Sequence, residues 1–171
     1  VLSTVYGING KRIVSVGRDR SAKLTDSTNG QFIENVNLLR GELASVTRHP
    51  TRDFVVIGGD DRIPYYYRMD RPRVMKIADD TTLIRKLEPQ PGVILALAFS
   101  PDGSRLAVAG AGDEVRIYNP ETGDRTAVLK GHKAGIYTVS FSPDGKRIAT
   151  AGYDGAIRLY DAATGTLAKD F

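Results

Sequence analysis

The sequence predicts an all-β chain built from repeated four-stranded antiparallel sheets, and three observations predict it. The first is strict alternation inside residues 131–161, GHKAGIYTVSFSPDGKRIATAGYDGAIRLYD. Residues 136–141 put Ile, Thr and Ser on one side and Tyr, Val and Phe on the other, which is the period of a strand. Ser142-Pro143-Asp144-Gly145 then reverses the chain, with proline presetting one corner and glycine free to take positive φ. Residues 147–151 read as a second strand, Tyr153-Asp154-Gly155 as a tight turn, 156–160 as a third strand and 166–171 as a fourth. The second observation is repetition. A shift of 42 residues lays Phe99-Ser100-Pro101-Asp102-Gly103 on Phe141-Ser142-Pro143-Asp144-Gly145. A shift of 93 lays Pro50, Val55, Gly59, Asp61 and Tyr67 on Pro143, Ile148, Gly152, Asp154 and Tyr160. A shift of 135 lays Gly10-Lys11-Arg12-Ile13 on Gly145-Lys146-Arg147-Ile148, and with it four copies cover the chain. The third observation is negative: no window carries capped apolar spacing of helical period.

Copies 42, 51 and 42 residues apart, with four strands each and a Gly-His…Tyr-Asp frame in the last, resemble the WD-repeat (WD40-type) β-propeller family. The resemblance is most specific in copy four, which has Gly131-His132, the SPDG turn, Thr150, Asp154 and Tyr160-Asp161 where the family usually has Trp-Asp. It implies that His132, Thr150, Asp154 and Tyr160 form a structural hydrogen-bond chain. Tyrosine keeps an aromatic body and a polar tip. The other copies depart from the pattern: copy three has Pro89-Gln90, Val108 and Gly112, and copy two has Glu42 near the His position and Ile57. Those copies read as held by packing, with Tyr118 lacking the partners of Tyr160. No tryptophan occurs anywhere, and the SPDG-rich, tryptophan-poor repeats look bacterial.

The blades fall at about 1–38, 39–89, 90–130 and 131–171. In the first, strands are expected near 1–6, 11–16, 21–25 and 31–37, separated by Gly- and Asn-rich turns. The second is irregular, with strands at 41–49, 53–58 and 63–69; Pro64 inside the third cannot donate to a ladder and suggests frayed or bulged pairing. Its nine extra residues lie between Met69 and Leu87. Two placements of the outer strand are open, and 73–78 is preferred, with 79–88 as a crossing loop. Blades three and four are regular.

Composition narrows the function. No apolar run approaches the ~18 residues of a membrane span. With no cysteine there are no disulfides, thiolate metal sites or cysteine nucleophiles, and the compartment stays open. A net charge of +4 suits a polar surface and points only weakly to acidic partners. His132 reads as structural and His49, in place of the SPDG serine, as an exposed turn residue. No nucleophile elbow, zinc-protease motif, phosphate loop or calcium loop occurs, so no catalytic residue, cofactor or metal is expected. The carboxylate pairs Asp60-Asp61 and Asp79-Asp80 could hold a hard cation but read as solvated loops. Arg62, Arg68, Arg71, Arg73 and Lys76 surround Tyr65, Tyr66 and Tyr67, an arrangement that weakly resembles a nucleic-acid patch. Because alternating tyrosines face opposite ways, a solvated blade edge is the better reading, and nucleic acid is not the expected partner.

The family binds partners on the face that carries the loops before the first strand and between the second and third. By position, that resemblance implies partner contacts at Arg18, Glu42, Asp60, Leu95, Tyr137 and Tyr153. Exposed tyrosine with arginine is the composition of binding hot spots. The expected function is therefore a non-catalytic scaffold for protein–protein interaction. The alternative is a propeller module of a larger exported bacterial protein, fused to or docked on a haem-type redox domain. WD-repeat rings usually have more than four blades, so the chain is expected to be part of a larger ring, completed by further blades of the same polypeptide or by another protein. Its open end faces would include Val5, Ile13 and Leu24 at one end and Ile148, Ile157 or Leu159 at the other.

Overall fold

In the computed structural model, which describes residues 1–70 and 80–171, every regular element is a β-strand. The described residues fall into two units, Val1–Pro89 and Gln90–Phe171. The first unit holds two sheets. One is β1 (Ser3–Tyr6), β2 (Arg12–Val16), β3 (Ala22–Asp26) and β4 (Phe32–Asn35); the other is β5 (Leu43–Arg48), β6 (Phe54–Gly59), β7 (Tyr65–Arg68) and β8 (Leu83–Lys86). The second unit holds β9 (Ile94–Phe99), β10 (Leu106–Gly110), β11 (Val115–Tyr118) and β12 (Arg125–Leu129), then β13 (Ile136–Phe141), β14 (Arg147–Gly152), β15 (Ile157–Asp161) and β16 (Leu167–Asp170). Each sheet pairs its four strands in sequence order, and every pairing is antiparallel.

The repeat extends to irregularities that pattern reading does not detect. In all four sheets the register between third and fourth strand slips at the same place: Leu24/Thr25, Tyr66/Tyr67, Ile117/Tyr118 and Leu159/Tyr160. Such a bulge increases local twist. The turn that follows is tied by one side chain. Asp26 Oδ1 accepts from Thr28 N at 2.8 Å, Asn119 Oδ1 from Glu121 N at 2.8 Å and Asp161 Oδ1 from Thr164 N at 2.8 Å. The SPDG turns are likewise duplicates. Gly103 and Gly145 sit at φ 75° and 70°, and Ser100 and Ser142 accept hydrogen bonds at 3.0 Å from the N–H groups of Arg105 and Arg147 respectively.

Sheet packing supplies each core. In the first unit Val14, Val16, Ala22 and Leu24 pack against Val46, Val55, Ile57 and Tyr67. In the second, Ala96, Ala107, Ala109, Val115 and Ile117 pack against Ile136, Val139, Ile148 and Tyr160. The strands β6 and β10 are buried along their whole length.

Several expectations are corrected. The outer strand of the second sheet is Leu83–Lys86, paired with β7, so 79–88 is not a crossing loop; the segment 73–78 lies outside the described residues. Pro64 precedes β7 and accepts from Leu87 N through its carbonyl at 3.0 Å, which needs no N–H of its own. His49 is buried, with its ring 4.6 Å from that of Phe54, and its Nδ1 accepts from Thr51 N and Arg52 N at 3.2 and 3.1 Å. The ring thereby does the work of the SPDG serine. Tyr65, Tyr66 and Tyr67 are all buried, which removes the stacking surface that a nucleic-acid patch requires. Leu24 and Ile148 are buried and Val5 packs on the first core, so of the six residues expected on open end faces only Ile13, Ile157 and Leu159 lie on outward sides.

Candidate functional site

Behind the loops of the last sheet lies a buried polar group. His132 precedes β13, Thr150 lies on β14, and Arg158 lies on β15. His132 Nε2 is 2.8 Å from Thr150 Oγ1, while Nδ1 is 2.8 Å from Arg158 Nη1 and 3.0 Å from Asp154 Oδ1. Nδ1 cannot serve both neighbours. A guanidinium only donates, so the Arg158 approach makes Nδ1 the acceptor and puts the ring proton on Nε2, toward Thr150. Asp154 then takes its hydrogen bonds from Lys133 N at 3.0 Å, Arg158 Nη1 at 2.7 Å and Ala156 N at 3.2 Å. The Lys133 N–H above all, with Arg158 and the Ala156 N–H, holds the Asp154 carboxyl well below the usual range, and Asp154 in turn raises Arg158. Tyr160 donates to the Lys130 carbonyl at 3.1 Å, and burial raises its hydroxyl pKa. His132, Thr150, Asp154 and Tyr160 thus surround one spot at the start of the sheet, with Arg158 joining His132 and Asp154.

The other sheets also have polar ties. In the third, Gln90, standing at the His position, donates to the Tyr118 hydroxyl at 2.9 Å, and both side chains are buried. In the second, Arg40 donates to Tyr67 at 3.1 Å and pairs with Asp80, which also accepts from Tyr67. Burial foremost raises the Tyr67 and Tyr65 hydroxyls, Tyr65 to about 12. Asp61 accepts from Tyr65 at 2.8 Å, so Asp61 and Asp80 are internal acceptors, not solvated loop carboxylates; Asp79 lies outside the described residues. Reading these copies as held mainly by packing therefore leaves out a polar tie in each of them. Arg158 and Arg40 are absent from the sequence expectation, and Gln90 and Asp80 appear there only as a departure at the His position and as half of a carboxylate pair. One signal existed. Two residues before the aromatic position stand Lys23, Arg116 and Arg158 in three copies, each paired with an acid: Asp19, Glu114 and Asp154.

In each unit these ties lie beneath a surface made by the loop before a first strand and the turn between second and third strands. In the first unit Arg18, Glu42 and Asp60 are exposed; Arg18 Nε is 4.0 Å from Glu42 Oε2, and Asp60 N donates to Glu42 O at 3.0 Å. In the second unit Ala111 N donates to Val93 O and Tyr153 N to Gly135 O, both at 2.8 Å. A Cβ on Gly135 would lie 3.3 Å from Ala111 Cα, so adjacent loops are in contact. Leu95 is half-buried. Tyr137 and Tyr153 are 56% and 75% exposed, with ring centroids 6.2 Å apart in an edge-to-face arrangement at 81°. Among the described residues no cluster of three metal-ligating side chains occurs, and no helix is long and apolar enough to cross a membrane.

The family pattern described as "WD domain, G-beta repeat" matches residues 123–161, and that described as "Anaphase-promoting complex subunit 4 WD40 domain" matches 46–141. WD repeat-containing protein 1-B of Xenopus laevis is 33% identical over 141 residues, covering 77% of this chain and 21% of that protein. WD repeat-containing protein 1 of Gallus gallus is 28% identical over 141 residues, with the same shares of 77% and 21%. Periodic tryptophan protein 2 homolog of Schizosaccharomyces pombe is 25% identical over 104 residues, covering 61% of this chain and 11% of that protein. The chain spans about a fifth of the length of the WD repeat-containing protein 1 relatives. All of these are eukaryotic, so the bacterial reading of the repeats has no support. WD40-repeat proteins generally act as non-catalytic scaffolds for protein–protein interaction. With four antiparallel four-stranded sheets and family patterns matching over more than half its length, the chain belongs to the WD40-repeat family.

Proposed function

We propose that this chain is a non-catalytic scaffold that binds another protein through its loop faces, with Arg18, Glu42 and Asp60 contributing in the first unit and Leu95, Tyr137 and Tyr153 in the second. The observation that carries the reading is the exposed edge-to-face pair Tyr137–Tyr153. Two large, stiff aromatic side chains at the surface lose little entropy on binding and offer both apolar area and hydroxyls, the character of hot-spot residues. The internal engagement of His132 favours a structural role over a catalytic one, and no turnover is expected from the chain. We also read 1–38, 39–89, 90–130 and 131–171 as blades of a larger ring.

The test is the affinity of a partner captured by the wild-type chain and reconstituted from purified components. Replacing both Tyr137 and Tyr153 with alanine should weaken binding at least about 30-fold, the equivalent of ~2 kcal/mol for a hot spot. Glu121→Ala, at a turn on the far end of the sheet, should leave it unchanged. Unaltered affinity in the folded double variant would overturn the reading. So would a reproducible hydrolase or oxidoreductase turnover lost in folded His132→Ala.

A further inference from the structure

The tight turn between second and third strands is built alike in the first, second and last sheets, and one residue in it differs. Gly17 O accepts from Arg20 N and Gly59 O from Arg62 N, both at 3.2 Å, and Gly152 O accepts from Gly155 N at 3.1 Å. The residue closing each turn lies in the left-handed region, at φ 65°, 65° and 76° respectively. Glycine reaches that region freely, whereas the Cβ of an arginine there crowds the neighbouring carbonyl. Among the described residues Arg20 and Arg62 are the only ones other than glycine with positive φ, and they occupy one structural position in two adjacent sheets. Nothing inside the fold offsets that cost. Both arginines are exposed, and among the described residues neither guanidinium has a hydrogen bond or an ion pair. The aspartate before each is already engaged: Asp19 pairs with Lys23, and Asp61 accepts from Ile63 N at 3.1 Å and from the Tyr65 hydroxyl at 2.8 Å. Backbone bonds hold the two turns on either side of one loop, with Leu43 N donating to Gly17 O at 3.1 Å and Asp60 N to Glu42 O at 3.0 Å. Strain kept at two equivalent surface positions, by side chains that touch nothing, points to a function outside the folded chain.

We infer that Arg20 and Arg62 are the recognition pair of the first unit's loop face, and that its occupant is a peptide segment carrying spaced side-chain carboxylates. The inference rests on the first-unit part of the loop-face reading and gives that part its partner chemistry. A guanidinium that no internal acid neutralises offers its whole fork of donors to a carboxylate. Glu42 stands on the loop between the two arginines, and Asp60 lies beside Arg62 on its own turn. Both acids would repel a continuous polyanion, so a mixed-sequence acidic peptide fits this face better than a nucleic-acid backbone does.

The strain makes the test selective. Arg20→Gly and Arg62→Gly remove a guanidinium and relieve the backbone together, so each variant should melt no lower than wild type while losing affinity. Fluorescence anisotropy with short labelled peptides bearing two glutamates at varied spacing should show saturable binding to the purified chain, weakened by added salt. Either arginine variant should weaken that binding at least about tenfold. Glutamine versions of the peptides should not bind, and Lys11→Ala, at the opposite end of the first sheet, should leave affinity unchanged. Absence of binding by every glutamate peptide, equal binding of the glutamine peptides, or unchanged affinity in the glycine variants would each overturn the inference. So would a lower melting temperature in those variants, which would make the arginines structural, or tighter binding of a single-stranded oligonucleotide than of any peptide. The double alanine variant at Tyr137 and Tyr153 alters the other unit and should bind the peptide like wild type. Failure of the tyrosine reading therefore leaves this result untouched, and an insensitive arginine pair leaves the tyrosine reading untouched.

Discussion

At position 152 a methyl group has no room. A Cβ there would lie 2.7 Å from His132 Nδ1 and 2.9 Å from the Gly135 carbonyl, and the ring cannot retreat without leaving Thr150 and Arg158. Gly152→Ala should therefore destabilise by about 1–3 kcal/mol through overpacking, read as a fall in the denaturant midpoint. Gly155→Ala meets no atom within 4 Å but holds φ +76°, so its cost should be the backbone strain alone, roughly 1 kcal/mol. The SPDG turns add a pH dependence. The Ser100 hydroxyl, with the Ser104 N–H and hydroxyl, lowers Asp102 to about 2. A carboxyl depressed in the folded state stabilises fully above its unfolded pKa of about 4, and that stability is lost as pH falls toward 2. Asp102→Asn should show a shallower loss of stability across that window. At this scale sequence reading finds residues that repeat. Asp154 recurs as Asp19 and Asp61, while His132 and Thr150, which copies two and three lack, stand out only through the family resemblance, and Arg158 enters only as the basic position it shares with Lys23 and Arg116.

Polar ties at the strand ends differ from sheet to sheet, and sequence reading underestimates them for that reason. Gln90 and Arg40 resemble neither a histidine nor each other, yet both meet the aromatic hydroxyl of their sheet, Tyr118 or Tyr67. Tyr118→Ala and Tyr160→Ala should accordingly cost about the same, ~3–5 kcal/mol each for loss of a fully buried aromatic. A melting shift for Tyr160→Ala much larger than that for Tyr118→Ala would show the Gln90 bond to be inconsequential. The outer strand of the second sheet shows the other limit. Pattern alone leaves 73–78 and 79–88 both open, and what distinguishes Leu83–Lys86 is non-local. Asp80, three residues ahead of it, is gripped by Arg40 and Tyr67 from strands and linkers far back in the chain. Asp80→Ala should speed amide exchange within β8 more than within β7, as removing the anchor strands the Tyr67 hydroxyl at a cost of about 1–3 kcal/mol.

Over the whole molecule, the four-sheet architecture was legible because turn chemistry and period 2 recur at nearly constant spacing, and because each sheet repeats the packing of the one before. Function was legible only to the level of a surface. Nothing in alternation distinguishes a tyrosine that paves a face from one that binds; the family resemblance marks Tyr137 and Tyr153, and their exposure in the folded chain supports that reading. Since the chain spans about a fifth of the WD repeat-containing protein 1 relatives, its partner is a matter for experiment and not for transfer from them. The most direct test of the scaffold account is the hydrogen-exchange footprint of a captured partner on the chain. Protection should fall on the loops around 17–21, 41–42 and 59–62 in the first unit, or 91–95, 110–114 and 132–137 with 152–156 in the second. Protection confined to the SPDG turns at 100–104 and 142–146, with the tyrosine loops exchanging as in the free chain, would contradict it.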